Sequence, residues 1–428
     1  MRLLSAGLLL IAASALAQEK ALSLEEALAA ADAGHPLMQA AQADLDLALA
    51  EERIAASGND ATLNAEGVLR QGRPTAGNGD WREDNIARLT LRKTLLDFGR
   101  RQGQVDAARQ EANARQLALM DVRDARRIDI MARFFDVMLA DMRYGADNEF
   151  MAVLYVRWDD SKKRHELGEL NASELALLEA RYQDQREKRN RSLMAQRVTR
   201  QKLAHALNQP GRLPGTLAPP QLKNNDRPLP AYEDLLPLAL ESNRKLLAMQ
   251  AQLNAVAARS EAIRAGRSPT LDMELMAADY SRDASTRDRL SGGLILNWPL
   301  YQGGRIDSRL ARQLAERTRL EAQAEQFRRE LAESLLETLQ EIEWLRTSAR
   351  PAAEAQIEYR DKALDRARAE YELEMRTNLG ASMAETQVAA IRAAEAEYRL
   401  ALALARLEAL AGRPLADFPT QTRFTENP

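Results

Sequence analysis

Residue types that carry out bond chemistry are few in this sequence and far apart. The three histidines, His35, His165 and His205, do not sit in a metal-ligand spacing. The chain contains no cysteine, which excludes a thiol nucleophile, a disulfide and a lipid anchor on cysteine. Neither a G-x-S-x-G nor a P-loop pattern occurs, and Gly303-Gly304 is more typical of a turn. The sequence therefore predicts a protein that is not an enzyme and that uses no cofactor and no metal.

The composition favours long helices over a compact globular core. Aromatic residues make up 5% of the 428 residues and charged residues 29%, while Ala, Leu, Glu, Arg and Gln dominate. This composition is typical of long helices in coiled-coil contact. Basic and acidic residues are interleaved and the formal net charge is -3, so we expect no basic face for nucleic acid.

The N-terminus has the organisation of a secretory signal peptide. Arg2 supplies a positive charge, residues 3–16 form a short apolar run, and Ala15-Leu16-Ala17 fits an A-x-A cleavage site. We expect residues 1–17 to be removed, so that the mature chain begins at Gln18. A membrane anchor helix is the alternative, but the apolar run is too short to span a bilayer. No later apolar stretch reaches the length of about 18 residues that a membrane helix needs, so the chain would cross a membrane as a closed β-barrel.

The chain contains two copies of one plan. Residues 23–28 match 231–236, and residues 95–100 match 300–305 at nearly the same spacing. Several matches in one order at a nearly fixed spacing indicate a tandem duplication. The segment between the copies is rich in proline, as linkers are. The predicted divisions are a signal peptide (1–17), a first repeat (18–207), a linker (208–230), a second repeat (231–411) and a C-terminal tail (412–428).

Each repeat is predicted to hold a helix, two short strands, a very long helix and a returning helix. The predicted helices are 36–57, 100–167 and 172–207 in the first repeat, and 244–265, 306–376 and 382–411 in the second. Pro351 interrupts the second long helix, where we expect a bend. Narrow stripes of Ala and Leu favour close side-by-side packing of many helices, although an ordinary antiparallel coiled coil would show the same pattern.

Four stretches between the helices alternate apolar and polar residues, as β-strands do. One face is apolar, and the other carries mostly polar or charged groups such as Arg88, Glu274 and Asn297. Each stretch is close to the length of about ten residues that a tilted strand needs to cross a bilayer. The residues predicted to face lipid are Leu63, Leu69, Leu89, Leu91, Leu271, Met273, Leu275, Leu294 and Leu296. The alternative is a pair of hairpins on a soluble protein, but the helices are too long to cover them.

Four strands are too few to close a barrel around water, because even about eight leave an interior filled by side chains. Several chains must therefore pool their strands, and three chains would supply twelve. The loops at 72–82 and 279–289 are polar and suit the outside of the cell. Trp298 and Tyr301 lie at the opposite strand ends, where aromatic residues mark a membrane–water interface.

Together these features resemble the TolC family of outer-membrane efflux proteins. The resemblance is carried by the duplication, by the two helix breaks near 167–175 and 374–380, and by one strand-to-helix junction, Trp298-Pro299-Leu300-Tyr301-Gln302-Gly303-Gly304-Arg305. It covers almost all of the mature chain. The junction residues that match are Pro299, Gly303, Gly304 and, in the first repeat, Gly99. The first junction departs from the pattern, since Thr94 replaces the proline.

The resemblance implies a mainly α protein with a membrane β-barrel. The implied assembly is a homotrimer with a twelve-stranded β-barrel, a long periplasmic α-barrel, and an equatorial belt built from the linker and tail. It implies a passive exit duct in the outer membrane of a Gram-negative bacterium, serving a tripartite efflux pump or a type I secretion system. The implied partners are outer-membrane lipid, a periplasmic adaptor (membrane fusion) protein and an inner-membrane pump. The alternative function is a periplasmic coiled-coil adaptor or scaffold, which would lack strands of membrane length.

The resemblance also implies a gate at the helix breaks, which in the family close the periplasmic tip. There an Arg and a Tyr hold a hydroxyl–carboxylate pair. The matching positions here are Arg376, Tyr371, Ser173 and Glu174. An Arg–carboxylate hydrogen bond is charge-assisted and oriented, which suits a latch, whereas a loose surface pair would contribute little.

The family often adds two aspartates beside the second break, which form an anionic ring. This sequence has Gly380 and Met383 at those positions. Glu374 and Glu385 are the nearby acidic residues. An anionic ring at the tip would therefore have to rest on Glu374 and Glu385.

The latch hypothesis predicts that Arg376→Ser raises the conductance of the pore, because it removes the cation that holds the hydroxyl–carboxylate pair. The measurement is single-channel current in planar bilayers. A conductance equal to that of the unaltered protein would remove the latch hypothesis.

Overall fold

The computed structural model describes residues 21–29, 34–73, 79–222, 224–282, 287–373 and 379–414. The predicted signal peptide and most of the predicted tail lie outside these residues. Within these ranges, no helix is both long enough and apolar enough to cross a membrane.

The described chain is mainly helical, with two small antiparallel sheets. The helices are α1 (Leu24–Ala29), α2 (Pro36–Ser57), α3 (Arg100–Glu166), α4 (Ala172–Ala206), α5 (Tyr232–Ser242), α6 (Arg244–Arg264), α7 (Arg305–Trp344), α8 (Arg350–Glu372) and α9 (Leu379–Ala411). The strands are β1 (Thr62–Val68), β2 (Gln71–Gly72), β3 (Arg82–Glu83), β4 (Ile86–Leu96), β5 (Thr270–Tyr280) and β6 (Leu290–Asn297).

The predicted helix bounds agree with the structure to within a few residues. α2 has the predicted bounds, and α3 and α4 each end one residue earlier than predicted. α9 begins at Leu379, three residues before the predicted start. With 67 residues, α3 is about 100 Å long.

The second long helix is interrupted where Pro351 predicts a break. α7 ends at Trp344, a π-helical turn spans Leu345–Ala349, and α8 then begins at Arg350. Proline has no backbone N–H to donate to the carbonyl of the residue four positions earlier, which favours a local change of helix geometry. The interruption therefore lies just before the proline.

The order of elements repeats along the chain. In the first half it is α1, α2, β1, β4, α3 and α4, and in the second half α5, α6, β5, β6, α7 with α8, and α9. The short β2 and β3 have no counterpart among the described residues of the second half. This order agrees with a duplication, while the exact division into repeats, linker and tail stays a prediction.

The chain divides into two compact units. The helical unit comprises Met1–His35, Ala125–Arg227 and Gln340–Ala405. The sheet unit comprises Pro36–Asp124, Pro228–Leu339 and Arg406–Pro428. Both units are built from segments of each half of the chain.

The core of the helical unit forms around two phenylalanines of α3. Phe134 and Phe135 are fully buried, and the ring of Phe135 stacks on Tyr398 of α9 at a centroid distance of 4.5 Å. Leu217 of the predicted linker joins this cluster and forms an isolated parallel β-bridge with Leu22. The predicted linker is therefore packed into the core over this stretch.

The π-helical turn supplies a second anchor for the linker. Arg346 donates to the carbonyl oxygens of Asn225 at 3.1 Å and Arg227 at 2.8 Å. Arg350 binds Glu397 at 2.6 Å, and the buried Asn225 donates to the same glutamate. Burial lowers the pKa of Arg346 from its ordinary value, although the guanidinium stays charged. The turn thus positions two arginines that fix the end of the linker.

In the sheet unit, the turn between α5 and α6 caps the end of α9. Ser242 donates its hydroxyl to the carbonyl oxygen of Ala411 at 2.6 Å, and Asn243 donates to that of Leu410 at 2.9 Å. Terminal helix carbonyls lack partners within the helix, so these bonds stabilise its end. Gly412 follows with φ +75, and a Cβ there would lie 2.1 Å from the carbonyl oxygen of Ser242.

Gly412→Ala should destabilise the protein strongly, because it adds both left-handed strain and a clash with backbone. Gly168→Ala is the matched control, since Gly168 has φ +78 but no neighbouring atom within 4 Å. We expect a loss of about 1 kcal/mol for the control from strain alone, and a clearly larger loss for Gly412→Ala. Denaturant unfolding followed by circular dichroism measures both, and equal losses would contradict the contact at Gly412.

Candidate functional site

The central feature of the sheet unit is a four-stranded antiparallel sheet in the order β1-β4-β5-β6. Directly paired residues lie on the same face, so the register tests the predicted faces. Leu63 pairs with Leu91, and Leu91 pairs with Leu275 on its other side. Leu271 pairs with Leu296, and Met273 with Leu294. The residues predicted to face lipid therefore share one face across all four strands.

This leucine face is open in the single chain. The exposed fraction is 67% for Leu63, 64% for Leu294 and 66% for Leu296. Leu69, directly after β1, is 89% exposed, and Leu89 and Leu275 are about half exposed. A continuous exposed apolar surface of this kind marks a contact with lipid or protein.

The opposite face of the sheet, the polar face, carries ion pairs between neighbouring strands. Arg88 binds Glu66 at 3.3 Å, and Arg92 donates its Nε to Glu274 at 3.0 Å. Thr90 stands between them, opposite Asn64. Opposite charges on directly facing residues stabilise a sheet, and here they are confined to one side of it.

A β-bulge near the end of β4 changes which residues lie on each face of the sheet. The pairing of β4 with β5 shifts between Thr94 and Leu96, so that Leu96 lies opposite Leu271 on the leucine face. One extra residue in a strand reverses the alternation after it. Lys93, opposite Met273, is a charged residue on the same face close to the strand end. Alternation places Lys93 on this face but does not indicate the bulge.

The strand lengths differ in part from the prediction. β4 and β5 each have 11 residues, but β1 has 7 and β6 has 8, which is shorter than the predicted length. The loop predicted at 72–82 is also not wholly irregular, because β2 and β3 form a short ladder at its ends. The hairpin is therefore extended by a second, two-residue ladder rather than by a longer β1.

A buried carboxylate lies at the strand ends that do not join the long helices. Asp84 is only 4% exposed and binds Arg70 and Arg287, the latter at 2.9 Å. Because Arg287 follows β5 and Arg70 follows β1, Asp84 links the two hairpins at this end. Sequence reasoning missed this cluster, because its members are distant along the chain.

At the other end, Arg101 organises the junction between β4 and α3. It binds Asp97 at 2.7 Å and also donates to the carbonyl oxygens of Gly58 at 2.8 Å and Thr94 at 3.1 Å. Partial burial works to raise the pKa of Asp97, but the hydrogen bonds from Arg101 outweigh it and hold the pKa below its ordinary value. One side chain thus ties the ends of α2 and β4 to the start of α3.

The predicted junction glycines all have positive φ. The angles are 85° at Gly99, 61° at Gly303 and 72° at Gly304. Phe98, which matches Gly303 in the other repeat, also has a positive φ of 55°. Pro299 lies between the exposed Trp298 and Leu300, directly after β6, and Tyr301 is 90% exposed.

The first helix break is a compact, capped turn. The amides of Gly168 and Glu169 donate to the carbonyls of His165 and Arg164 at 2.9 and 2.8 Å, which is a Schellman motif. Asn171 then caps α4, accepting from the amide of Glu174 at 2.8 Å. The break therefore has a defined geometry.

Among the predicted latch residues that the structure describes, no hydrogen bond joins the first break to the second. Ser173, Glu174 and Tyr371 are exposed, and in the part of the chain that the structure describes no hydrogen bond joins Tyr371 to either of the other two. Arg376 and Glu374 lie outside the described residues. Glu385 is bound to Arg360 of α8. The latch and the anionic ring both stay predictions.

Gly380, at a position where the family often has aspartate, lies against α3. A Cβ at Gly380 would be 2.5 Å from Cγ2 of Val153. Met383, the other such position, is 45% exposed. The sequence did not indicate that α9 approaches α3 this closely, because the contact joins positions far apart in the chain.

The histidines have local structural roles. The ring of His165 lies 2.7 Å from the carbonyl oxygen of Leu170 in the helix break, and that of His205 lies 2.9 Å from Gln201. Burial and the nearby Arg126 lower the pKa of His35. Among the residues with described positions, no group of three or more His, Asp or Glu side chains has a geometry that would hold a metal ion.

Comparison with known proteins gives one family match and several matches of fold. Residues 235–413 match the model of the outer membrane efflux protein family. No curated protein sequence matches this chain significantly. The family match covers the second repeat and begins inside α5.

Three solved structures illustrate the likeness in fold. The CmeC outer membrane channel of Campylobacter jejuni is 12% identical with a TM-score of 0.75, covering 93% of this chain and 86% of that chain. The outer membrane protein VceC of Vibrio cholerae is 15% identical with a TM-score of 0.71, covering 92% and 96%. The open-state MtrE outer membrane channel of Neisseria gonorrhoeae is 17% identical with a TM-score of 0.72, covering 92% and 89%.

The chain therefore has the fold of an outer-membrane channel protomer, with long helices and four membrane-length or near-membrane-length strands. Residues 235–413, in its second half, match the outer membrane efflux protein model. The predicted resemblance to the TolC family and the predicted fold class are confirmed.

Gly380→Ala should lower the stability of the α3–α9 contact, because the new methyl group overlaps Val153. We expect a loss of about 1–3 kcal/mol, the usual range for overpacking. In a Val153→Ala background, the same change should be neutral or slightly stabilising, because alanine favours helix. The midpoint of thermal unfolding of all four proteins measures the coupling, and an equal effect of Gly380→Ala in both backgrounds would contradict it.

Proposed function

We propose that this protein is the protomer of a passive, trimeric exit duct in the outer membrane of a Gram-negative bacterium. The observation that carries the proposal is the sheet with a leucine face and a polar face. Lipid tails suit the leucine face, and a water-filled lumen suits the polar face with its ion pairs. The family match and the fold of the related channels support the same function.

The edges of the sheet support assembly from several copies. β1 and β6 are the outer strands, and each pairs on one side only within the described residues. In a bilayer, unpaired backbone groups of an edge strand have no water to bind, so the sheet must close. We propose that β6 of one copy pairs with β1 of the next, and that three copies build a barrel of twelve strands.

The helices fit the periplasmic part of such a duct. α3 alone is about 100 Å long, which is more than twice the thickness of a bilayer. We propose that the helices of three copies form a tube that meets a periplasmic adaptor and an inner-membrane pump. The assembly would serve efflux or type I secretion, and the protein itself would perform no bond chemistry.

The alternative, a periplasmic coiled-coil adaptor or scaffold, is less well supported. An adaptor of this kind needs no leucine face, yet β4 and β5 have the length of about ten residues that crosses a bilayer. The secretory signal and the removal of residues 1–17 remain part of the proposal.

Leu89 and Thr90 offer a matched test, because they are neighbours on β4 and lie on opposite faces. Leu89→Arg should place a charge in lipid at a cost of about 2–4 kcal/mol and lower the amount of assembled trimer several-fold. Thr90→Arg places the same charge on the polar face and should leave assembly nearly unchanged. Separated outer membranes and gel mobility without heating measure location and trimer together.

The proposed function would be lost if the unaltered protein were recovered from the periplasm as a water-soluble monomer. It would also be contradicted if both arginine variants assembled equally well, since the leucine face would then have no contact with lipid.

A further inference from the structure

A cleft lies in the sheet unit beside the ends of the strands that meet the helices. It has a volume of about 780 Å³ and is walled by α2, α3, α6 and the first turns of α7. Thr270, the first residue of β5, and Asn297, the last residue of β6, lie at its edge. All of its lining residues belong to the sheet unit.

The cleft opens on the polar side of the sheet. Thr270 and Asn297 form a pair across β5 and β6. Because side chains alternate along a strand, Thr270 lies on the same face as Glu274, which binds Arg92. The cleft is therefore continuous with the polar face and separate from the leucine face. In the proposed duct this is the side of the lumen.

Arginine dominates the charge of the cleft. Arg259 is neutralised by Glu111 at 2.8 Å. Four more arginines in the wall form no ion pair within the described part of the chain: Arg100, Arg115, Arg309 and Arg312. The remaining carboxylates are those of Asp44 and Glu51, so positive charge is in excess. A guanidinium stays charged and offers a planar set of donors that matches carboxylate, sulfonate or phosphate.

A buried amide adds a second, independent feature. Gln313 of α7 is 6% exposed and lines the cleft. Its Oε1 atom has no hydrogen-bond partner among the described residues. A buried acceptor without a partner costs about 1–3 kcal/mol, so a ligand that donates a hydrogen bond to it would be favoured. The site therefore favours a ligand that has a hydrogen-bond donor as well as an anionic group.

The rest of the wall is apolar. It includes Leu47, Ile54, Ala107, Ile263 and Ile306. Ligand sites commonly combine such a lining with a few convergent polar groups. The volume of about 780 Å³ is within the usual range for small-molecule sites.

We propose that this cleft binds amphipathic organic anions that pass through the duct. The ligand combines an apolar or aromatic body with a carboxylate, sulfonate or phosphate group, and it donates a hydrogen bond to Gln313. Arg309 and Arg312, one helical turn apart on α7, hold the anionic group. The role of this binding in transport rests on the proposed function, whereas binding itself depends only on the cleft.

The test measures binding of 6-hydroxynaphthalene-2-sulfonate to the purified full-length protein in detergent by calorimetry. This probe has an aromatic body, an anionic group and one hydroxyl donor. We expect saturable binding that weakens as salt is added, because ions screen the contact with arginine. Trimethyl(naphthalen-2-ylmethyl)ammonium, of similar size but opposite charge, should bind at least about tenfold more weakly.

Variants on α7 locate the site. Arg309→Gln with Arg312→Gln should weaken binding by about tenfold or more for each lost charged contact. Arg317→Gln is the matched control, because Arg317 lies on the same helix, binds Glu321 and does not line the cleft. Gln313→Leu should weaken binding of the hydroxylated probe but not of naphthalene-2-sulfonate, which lacks the donor.

The proposal is overturned if the cation binds as well as the anion, or if the paired substitution has no more effect than Arg317→Gln. It is also overturned if Gln313→Leu weakens both probes equally. These outcomes are independent of membrane location, so a protein that binds the anion but fails to assemble in outer membranes would refute the proposed function alone.

Discussion

The arrangement of apolar side chains on one face of the four-stranded sheet constrains the rest of the molecule. A fully exposed leucine forgoes about 1.5–3 kcal/mol relative to a buried one, and several leucines on this face are more than half exposed in the single chain. The polar face cannot take the place of the leucine face in an apolar environment, because it holds the Arg88–Glu66 and Arg92–Glu274 pairs. Covering the leucine face therefore requires lipid or protein from outside the chain. In the proposed membrane duct, closing the sheet edges would require further strands, so the proposed assembly meets both needs.

The junctions connect the strands of the sheet to the helices through specific side-chain contacts. Arg101 connects the end of α2, the end of β4 and the start of α3 through contacts with Gly58, Thr94 and Asp97. The second junction uses other contacts, with Gln302 donating to the carbonyl of Gly266 at 3.3 Å and Arg267 paired with Asp307. The two junctions are therefore held by different side chains.

The local sequence pattern was sufficient to predict the helices, the strands and the two faces of the sheet. Alternation placed Leu63, Leu91 and Leu275 on one side, and the register confirms that side. Helix bounds followed from proline, glycine and apolar periodicity to within a few residues. These features depend on neighbours in the chain, so one sequence contains them.

The features that the sequence did not predict either join residues that are distant in the chain or interrupt the alternation of side chains along a strand. The bulge at Thr94–Leu96 changes which residues lie on the leucine face after it, and nothing in the local sequence specifies its position. The Asp84 cluster, the Arg101 junction and the contact of Gly380 with Val153 each depend on how separate elements pack. The arginine cleft combines residues from four helices, so none of its members stands out alone. The predicted latch could not be resolved in the same way, because Arg376 lies outside the described residues.

In the proposed duct, Lys93 would fix the depth of the sheet in the membrane. It lies on the leucine face, opposite Met273 and close to where β4 ends. A lysine there can extend its flexible stem along apolar surface, but its ammonium group must reach water or phosphate. The level of Lys93 would therefore coincide with the headgroups of the inner leaflet. Sliding the sheet further into the bilayer would bury this charge. In the proposed duct, one side chain would therefore set how much of each strand the membrane covers and where the helices emerge into water.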